Sequence, residues 1–84
     1  DGANSMANPL IQSDPNIMLG KPVVRGTRVT VETILRKLSF GESIEQVIES
    51  HPRLTREAIL AALDYAAEAM AHETVHSVND TARP

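Results

Sequence analysis

Two helix-terminating residues, Gly41 and Pro52, divide residues 30–73 into three stretches with helical periodicity. Within each stretch, apolar residues recur at the i, i+3, i+4 spacing that places them on one face of a helix. Each stretch begins with a hydroxyl residue suited to cap a helix: Thr30, Ser43 and Thr55. The pattern predicts three helices, at about residues 31–39, 44–51 and 56–73.

Residues 20–29, GKPVVRGTRV, differ from the helical stretches because they are rich in β-branched side chains. Two short β-branched pieces, residues 22–24 and 27–29, are separated by Arg25 and Gly26. This arrangement predicts a tight hairpin within about residues 17–29. A two-stranded hairpin is marginally stable in isolation, so we expect its apolar side to contact a second subunit or a partner.

The chain of 84 residues is long enough for one small domain. Residues 1–5 resemble an expression scar, and residues 6–16 are expected to form an extended lead-in to a single domain at 17–74. Residues 75–84 have no periodicity and are expected to form a flexible tail. The predicted fold class is mainly α, with three helices preceded by a short β-hairpin, a layout that fits a helix-turn-helix domain.

Oligomerisation is expected, because a domain of this size buries a modest share of its surface and the chain has no cysteine for disulfides. The predicted third helix is longer than the two helices beside it, so its second half needs another surface. We expect a homodimer with contacts from the hairpin and the third helix: Val23, Val24, Val29, Ala66, Ala67 and Met70. The lack of cysteine fits a cytoplasmic location, and no apolar run is long enough to span a membrane.

Positive charge is concentrated ahead of the helices, although the net charge is −3. Five cations and one anion, Glu32, lie within residues 21–37, whereas residues 64–80 contain four acids and no lysine or arginine. In a helix-turn-helix domain, the start of the second helix of the pair enters the major groove. We expect contacts with DNA or another anion from five residues: Arg25, Arg28, Arg53, Thr55 and Arg56. Arg28 is equally suited to a structural ion pair with Glu32.

No catalytic site and no cofactor are predicted. The glycines of residues 20–29 do not have the spacing of a phosphate-binding P-loop. The string HETVH, residues 72–76, matches the H-E-x-x-H pattern of zinc proteases letter for letter. It lies at the predicted end of a helix with only Asp80 following as a ligand, so a small metal-dependent hydrolase using His72, Glu73 and His76 is kept only as an alternative.

Residues 17–68 resemble domain-of-unknown-function family 433, a group of small bacterial proteins with a GxPxxxGTRxxV signature. The matching positions are Gly20, Pro22, Gly26, Thr27, Arg28, Val31, Gly41, Ser43, Pro52, Leu54, Thr55 and Ala62. The resemblance implies a homeodomain-like, helix-turn-helix fold. It also implies an antitoxin role, because many members are encoded beside PIN-like nucleases.

The leading hypothesis is therefore a non-enzymatic, antitoxin-like binding module that pairs with a PIN-like nuclease toxin and also regulates its own promoter by binding DNA. In this hypothesis the acidic, alanine-rich third helix contacts the basic groove of the nuclease. The alternative is a stand-alone DNA-binding transcriptional regulator. Glu57 and Asp64, on the exposed side of the third helix, disfavour that alternative because they repel phosphates.

Overall fold

The structure is a computed structural model that describes the backbone of residues 8–81 and the side chains of residues 8–72. The predicted expression scar, residues 1–5, lies outside the described residues. The regular elements are β1 (Ile11–Gln12), β2 (Val23–Val24), α1 (Val31–Ser39), α2 (Ile44–Ser50) and α3 (Arg56–Thr81). The predicted fold class is confirmed, since three helices follow a short antiparallel pair of strands.

β2 has a paired strand that the prediction did not include. β1, from the predicted lead-in, lies antiparallel to β2 with Ile11 opposite Val24. The predicted turn is present: Thr27 N–H donates to the Val24 carbonyl at 2.9 Å, and Gly26 has φ 83°. A positive φ at the third residue of a turn defines type II geometry and favours glycine. The predicted pairing across this turn is present as single contacts: Val24 N–H donates to the Val29 carbonyl at 2.9 Å, and Val23 and Thr30 form an antiparallel bridge. Residues 27–29 form no regular strand, because the N-cap of α1 follows at once.

Hydroxyl side chains start all three helices, as predicted. Each accepts a hydrogen bond from a backbone N–H three residues further on: Thr30 from Thr33 at 3.0 Å, Ser43 from Gln46 at 3.1 Å and Thr55 from Ala58 at 3.1 Å. The Gln46 side chain also accepts from the Ser43 N–H at 2.8 Å, which completes a capping box. These caps satisfy backbone donors that have no partner within a helix.

The first helix ends at Gly41, which has φ 96°. Its N–H donates to the Leu38 carbonyl at 3.0 Å, and the Glu42 N–H donates to the Lys37 carbonyl at 3.2 Å. This pair of bonds is the Schellman motif, in which a left-handed residue closes a helix. The turn sends the chain back so that α2 contacts α1.

The core joins both strands to one face of each helix. Its buried apolar residues are Ile11, Val23, Val24, Val31, Ile34, Val47, Leu54, Ala58, Ile59, Ala61 and Ala62. Val23 and Val24 are 0% and 4% exposed, and Val29 packs against the same core. We call Val23, Val24 and Val29 the valine ribbon. The prediction that it contacts a second subunit is wrong for Val23 and Val24, because both are already buried within the chain itself.

The third helix is longer than predicted. It runs to Thr81, whereas the sequence pattern placed its end near residue 73 and an irregular tail from 75. No glycine or proline occurs between residues 56 and 81, and polar residues at the helix surface do not end a helix. Within residues 8–81, no helix is both long enough and apolar enough to cross a bilayer.

Candidate functional site

One candidate interaction surface is a row of exposed apolar residues along α3, which we call the α3 stripe: Leu60, Leu63, Ala67 and Met70. Spacings of three, four and three residues place these side chains on one face of a helix. Leu60 is 47% exposed, Leu63 is 36% exposed and Met70 is 58% exposed. The core takes up the adjoining side of the same helix, which carries Ile59 and Ala62.

Acidic side chains border the α3 stripe at its N-terminal end. Glu57 and Asp64 are exposed and, with Leu10 and Leu60, line a shallow depression of about 280 Å³. Leu10, just before β1, is itself 39% exposed and extends the apolar area next to Leu60. This end of α3 therefore combines an apolar centre with a negative rim.

The predicted contact residues of α3 separate into two groups. Ala66 is half-buried and packs against the core, so it serves the monomer. Ala67 and Met70 are exposed and belong to the α3 stripe. Sequence reasoning missed Leu60 and Leu63, which it assigned to a broad apolar face of the same helix. A helix with apolar residues on more than one face presents both a core side and a second side, and periodicity alone does not assign them.

The predicted DNA-contacting residues do not form one recognition surface. Thr55 uses its hydroxyl to cap α3. Arg56 of α3 donates to Glu45 of α2 at 3.4 Å, so its charge is already used in an ion pair between these two helices. Arg53 instead reaches back from the segment between α2 and α3 and donates to the Gly26 carbonyl at 3.0 Å.

Three arginines without a carboxylate partner among the described residues lie around the Gly26 turn. Arg25 donates through Nε to the Pro9 carbonyl at 2.8 Å, and Arg53 is held by the Gly26 carbonyl. Arg28 is exposed, and no described residue forms an ion pair with it. Positive charge is therefore concentrated at the turn without a carboxylate partner, whereas the other described cations form ion pairs.

One group of paired charges is centred on Glu32 of α1. Glu32 accepts from Arg36 at 3.2 Å and from Lys21 at 3.4 Å. These hydrogen bonds, that from Arg36 first, hold the pKa of Glu32 below its ordinary value. The predicted pair between Arg28 and Glu32 is wrong, because Arg28 precedes the N-cap Thr30 and is not a helical i, i+4 neighbour of Glu32.

Beside the Gly26 turn lies a cleft of about 660 Å³, which we call the basic cleft. Its polar lining residues are Gln12, Thr27, Arg28, Thr33, His51 and Arg53, and no acidic residue lines it. The Nε2 atom of His51 is buried and has no hydrogen-bond partner among the described residues. Sequence reasoning found the two arginines but not Gln12 or Thr33, which reach the cleft from β1 and α1. His51 was not among its predicted site residues.

The H-E-x-x-H string lies mostly outside the described side chains, which end at residue 72. His72 lies on α3 and its Nε2 is 3.8 Å from Oε1 of Glu68, one turn earlier. Among the described side chains, no group of three histidine, aspartate or glutamate residues is arranged to hold a metal. The hydrolase alternative therefore stays a prediction.

Three comparisons with known proteins agree on one relationship. Residues 11–66 match the family model described as "Protein of unknown function (DUF433)". The chain is 42% identical over 60 residues to the uncharacterized protein y4eO of Sinorhizobium fredii (strain NBRC 101917 / NGR234), covering 71% of this chain but only 27% of that relative. It also resembles the crystal structure of a DUF433 member protein from Anabaena variabilis ATCC 29413. That match has a TM-score of 0.71 and 25% identity, and covers 84% of this chain and 70% of that chain.

Proposed function

The chain belongs to the DUF433 family, and we propose that it is a non-enzymatic, antitoxin-like binding module that pairs with a PIN-like nuclease through the α3 stripe. The family description names no activity, so the proposal depends on the surface of this chain and on the neighbouring genes that the resemblance implies. The observation that carries it is the exposure of Leu60 and Leu63 on a helix that runs to Thr81.

The stripe has the geometry of a helix that docks into a groove. Anchors at i, i+3 and i+7 are the usual contacts of an amphipathic helix with an apolar groove. Leu60, Leu63 and Ala67 have this spacing, and Met70 continues it with a flexible thioether side chain that adapts to irregular surfaces. Large apolar side chains exposed in a row are typical of interaction sites.

The charge around the stripe favours a basic partner. Glu57 and Asp64 border Leu60, and α3 carries no lysine or arginine after Arg56 among residues 57–81. A nuclease that binds RNA needs a positive groove, to which an acidic rim is complementary. Complementary charge would guide the encounter and set the orientation, while the leucines would supply contact area.

Homodimerisation is proposed through the same stripe. Val23 and Val24 already lie in the monomer core, so a dimer that leaves the fold intact has to use other apolar residues. The α3 stripe offers four such residues in a row on one helix. Two copies and a nuclease would then compete for Leu60 and Leu63, and partner binding would reduce the dimer fraction.

The stand-alone DNA regulator has less support. Arg56, at the start of the helix that enters the groove in a helix-turn-helix domain, is paired with Glu45. The next residue, Glu57, is exposed and opposes phosphate contact. A regulator of this type predicts duplex binding that weakens steeply with salt and is reduced by Arg53→Ala and Arg56→Ala.

Co-expression with the product of the adjacent gene tests the proposed function. We expect a stable complex on size-exclusion chromatography with light scattering. Leu60→Glu should lower the affinity at least about tenfold, because the interface would bury an unpaired carboxylate. The matched control is Leu19→Glu, which introduces the same change at a leucine outside α3 that is 92% exposed. Absence of a complex, or equal losses in both variants, would contradict the proposal.

A further inference from the structure

We propose that the basic cleft is a binding site for a phosphate monoester, held between Arg28 and Arg53. This site is independent of the α3 stripe and of any partner nuclease, because no residue of the stripe lines the cleft. The cleft is formed mainly by the Gly26 turn, α1 and the segment that follows α2. Its volume of about 660 Å³ lies within the range of small-molecule sites, about 300–1,000 Å³.

The first observation is uncompensated charge. Two guanidinium groups line the cleft without any acidic lining residue. Elsewhere on the described surface, cations lie beside carboxylates, as Arg36 does beside Glu32 at 3.2 Å. Two positive charges facing one cleft match the dianionic form of a phosphate monoester better than a single carboxylate. Guanidinium groups also bind phosphate oxygens in a bidentate manner.

The second observation is the orientation of Arg53. Its Nη1 donates to the Gly26 carbonyl at 3.0 Å, which fixes the guanidinium beside the turn and leaves other N–H groups for a ligand. The Thr27 hydroxyl donates to the Val24 carbonyl at 2.8 Å and accepts from the Val29 N–H at 3.0 Å. The turn that carries Arg28 is therefore braced on both sides, so less ordering is needed when a ligand binds.

The third observation is the set of uncommitted polar atoms. Nε2 of His51 is buried without a hydrogen-bond partner, although buried polar atoms are nearly always paired. The Thr33 hydroxyl accepts from the Thr30 hydroxyl at 2.9 Å, and no described acceptor takes its own hydrogen. The Thr33 hydroxyl and the two arginines can therefore donate to a phosphate in the cleft, whereas Nε2 of His51 has no accessible surface through which to contact one.

This site would differ from a phosphate-binding P-loop, whose glycine-rich backbone amides cradle the anion at a helix N-terminus. Here side chains from separate elements supply the donors. Ile17 and Val29 give the cleft an apolar wall that an attached organic group could contact. The proposed ligand is therefore the phosphate of a small organic ester, with free phosphate as the minimal version of the same chemistry.

Calorimetric titration of the full chain with inorganic phosphate, adenosine monophosphate and a blunt duplex DNA with 5′-hydroxyl ends tests the site. Arg28→Gln should weaken both phosphate ligands at least about tenfold, because it removes a charge-assisted hydrogen bond. The matched control is Arg25→Gln, which removes the same charge from the same turn but does not line the cleft. We expect less than about a twofold effect from this control.

The relative affinities of the three ligands distinguish a phosphate ester, free phosphate and nucleic acid as the natural ligand. Tighter binding of adenosine monophosphate than of inorganic phosphate would support the organic ester, and equal binding would support the shared phosphate chemistry alone. Failure of both ligands to bind would overturn the proposal, as would equal losses in the Arg28 and Arg25 variants. Tighter duplex binding that is lost in Arg28→Gln would also overturn it, by assigning the cleft to nucleic acid. We expect the thermal unfolding of Arg28→Gln to match wild type, because Arg28 has no described ion pair to lose. An unchanged unfolding temperature would show that the variant is correctly folded.

Discussion

The valine ribbon and the α3 stripe have similar side chains and opposite environments. Val23 is fully buried, whereas Leu60 is 47% exposed on a neighbouring element. The ribbon is short, its valines are buried or packed against the core of the same chain, and β1 pairs with β2. The third helix carries apolar residues on more than one face, and the core of a domain this small covers only one of them. An apolar residue therefore indicates a partner only when its own domain leaves it exposed.

Shortening a ribbon side chain has the largest expected effect. Val23→Ala should lower the free energy of unfolding by about 2 kcal/mol, since it removes two buried methyl groups and leaves a cavity. Met70→Ala, at an exposed position, should change it by less than about 0.5 kcal/mol. Urea denaturation followed by circular dichroism measures both values. Equal values would mean that the ribbon is not part of the monomer core.

The turn that holds the ribbon gives the next effect. Gly26→Ala should destabilise the protein by about 1 kcal/mol, because Gly26 has φ 83° and a Cβ disfavours that conformation. A Cβ built there meets nothing within 4 Å, so the loss comes from the backbone alone. Gly26→Asn is the matched variant and should lose less, since asparagine tolerates positive φ better than alanine. A larger loss in Gly26→Asn would contradict this explanation.

Helix boundaries were largely predictable because they depend on local chemistry. Thr30, Ser43 and Thr55 cap the helices within three residues of their own positions, and Gly41 ends α1 by a turn that few other residues adopt. The end of α3 was not predictable in this way, because residues 74–81 contain no breaker. The local pairing across the Gly26 turn was predicted and is present between Val23 and Thr30. The pairing of β2 with Ile11 and Gln12, about twelve residues earlier, was missed, because no local signal links the two segments.

The candidate sites were predictable only in part. Charge alone identified Arg25, Arg28 and Arg53, but their gathering around one turn depends on a contact between Arg53 and Gly26, 27 residues apart. His51 carried no signal beyond its place before a proline. Side chains that meet through tertiary contacts are not visible in periodicity, so their joint environment appears only in the fold.

Polar substitution of the α3 stripe should have a smaller effect on stability than Val23→Ala. Leu60→Gln combined with Leu63→Gln should change the free energy of unfolding by about 1 kcal/mol or less, since each is a substitution at a partly exposed position. The same change should reduce the dimer fraction measured by light scattering across a concentration series. Leu19→Gln is the control for added polarity outside α3. A large loss of stability with unchanged mass would mean that the stripe serves the monomer fold.

The smallest effect is expected from removing the charge of Glu32. This residue of α1 forms ion pairs with Lys21, which precedes the ribbon, and with Arg36, one helical turn later. The pKa of Glu32 is lowered in the folded state, so the unfolded chain binds more protons in this range and stability rises with pH. The contribution is complete above the ordinary glutamate pKa of about 4.3 and is lost as pH falls through the lower folded-state pKa. Glu32→Gln should therefore melt below wild type at pH 7, and the gap should close in acid and in high salt, because exposed ion pairs are screened. The control is Glu49→Gln, at an exposed glutamate without a described ion pair, which should melt at the same temperature as wild type. If the difference in melting temperature between Glu32→Gln and wild type persists in acid, the effect is due to packing rather than charge.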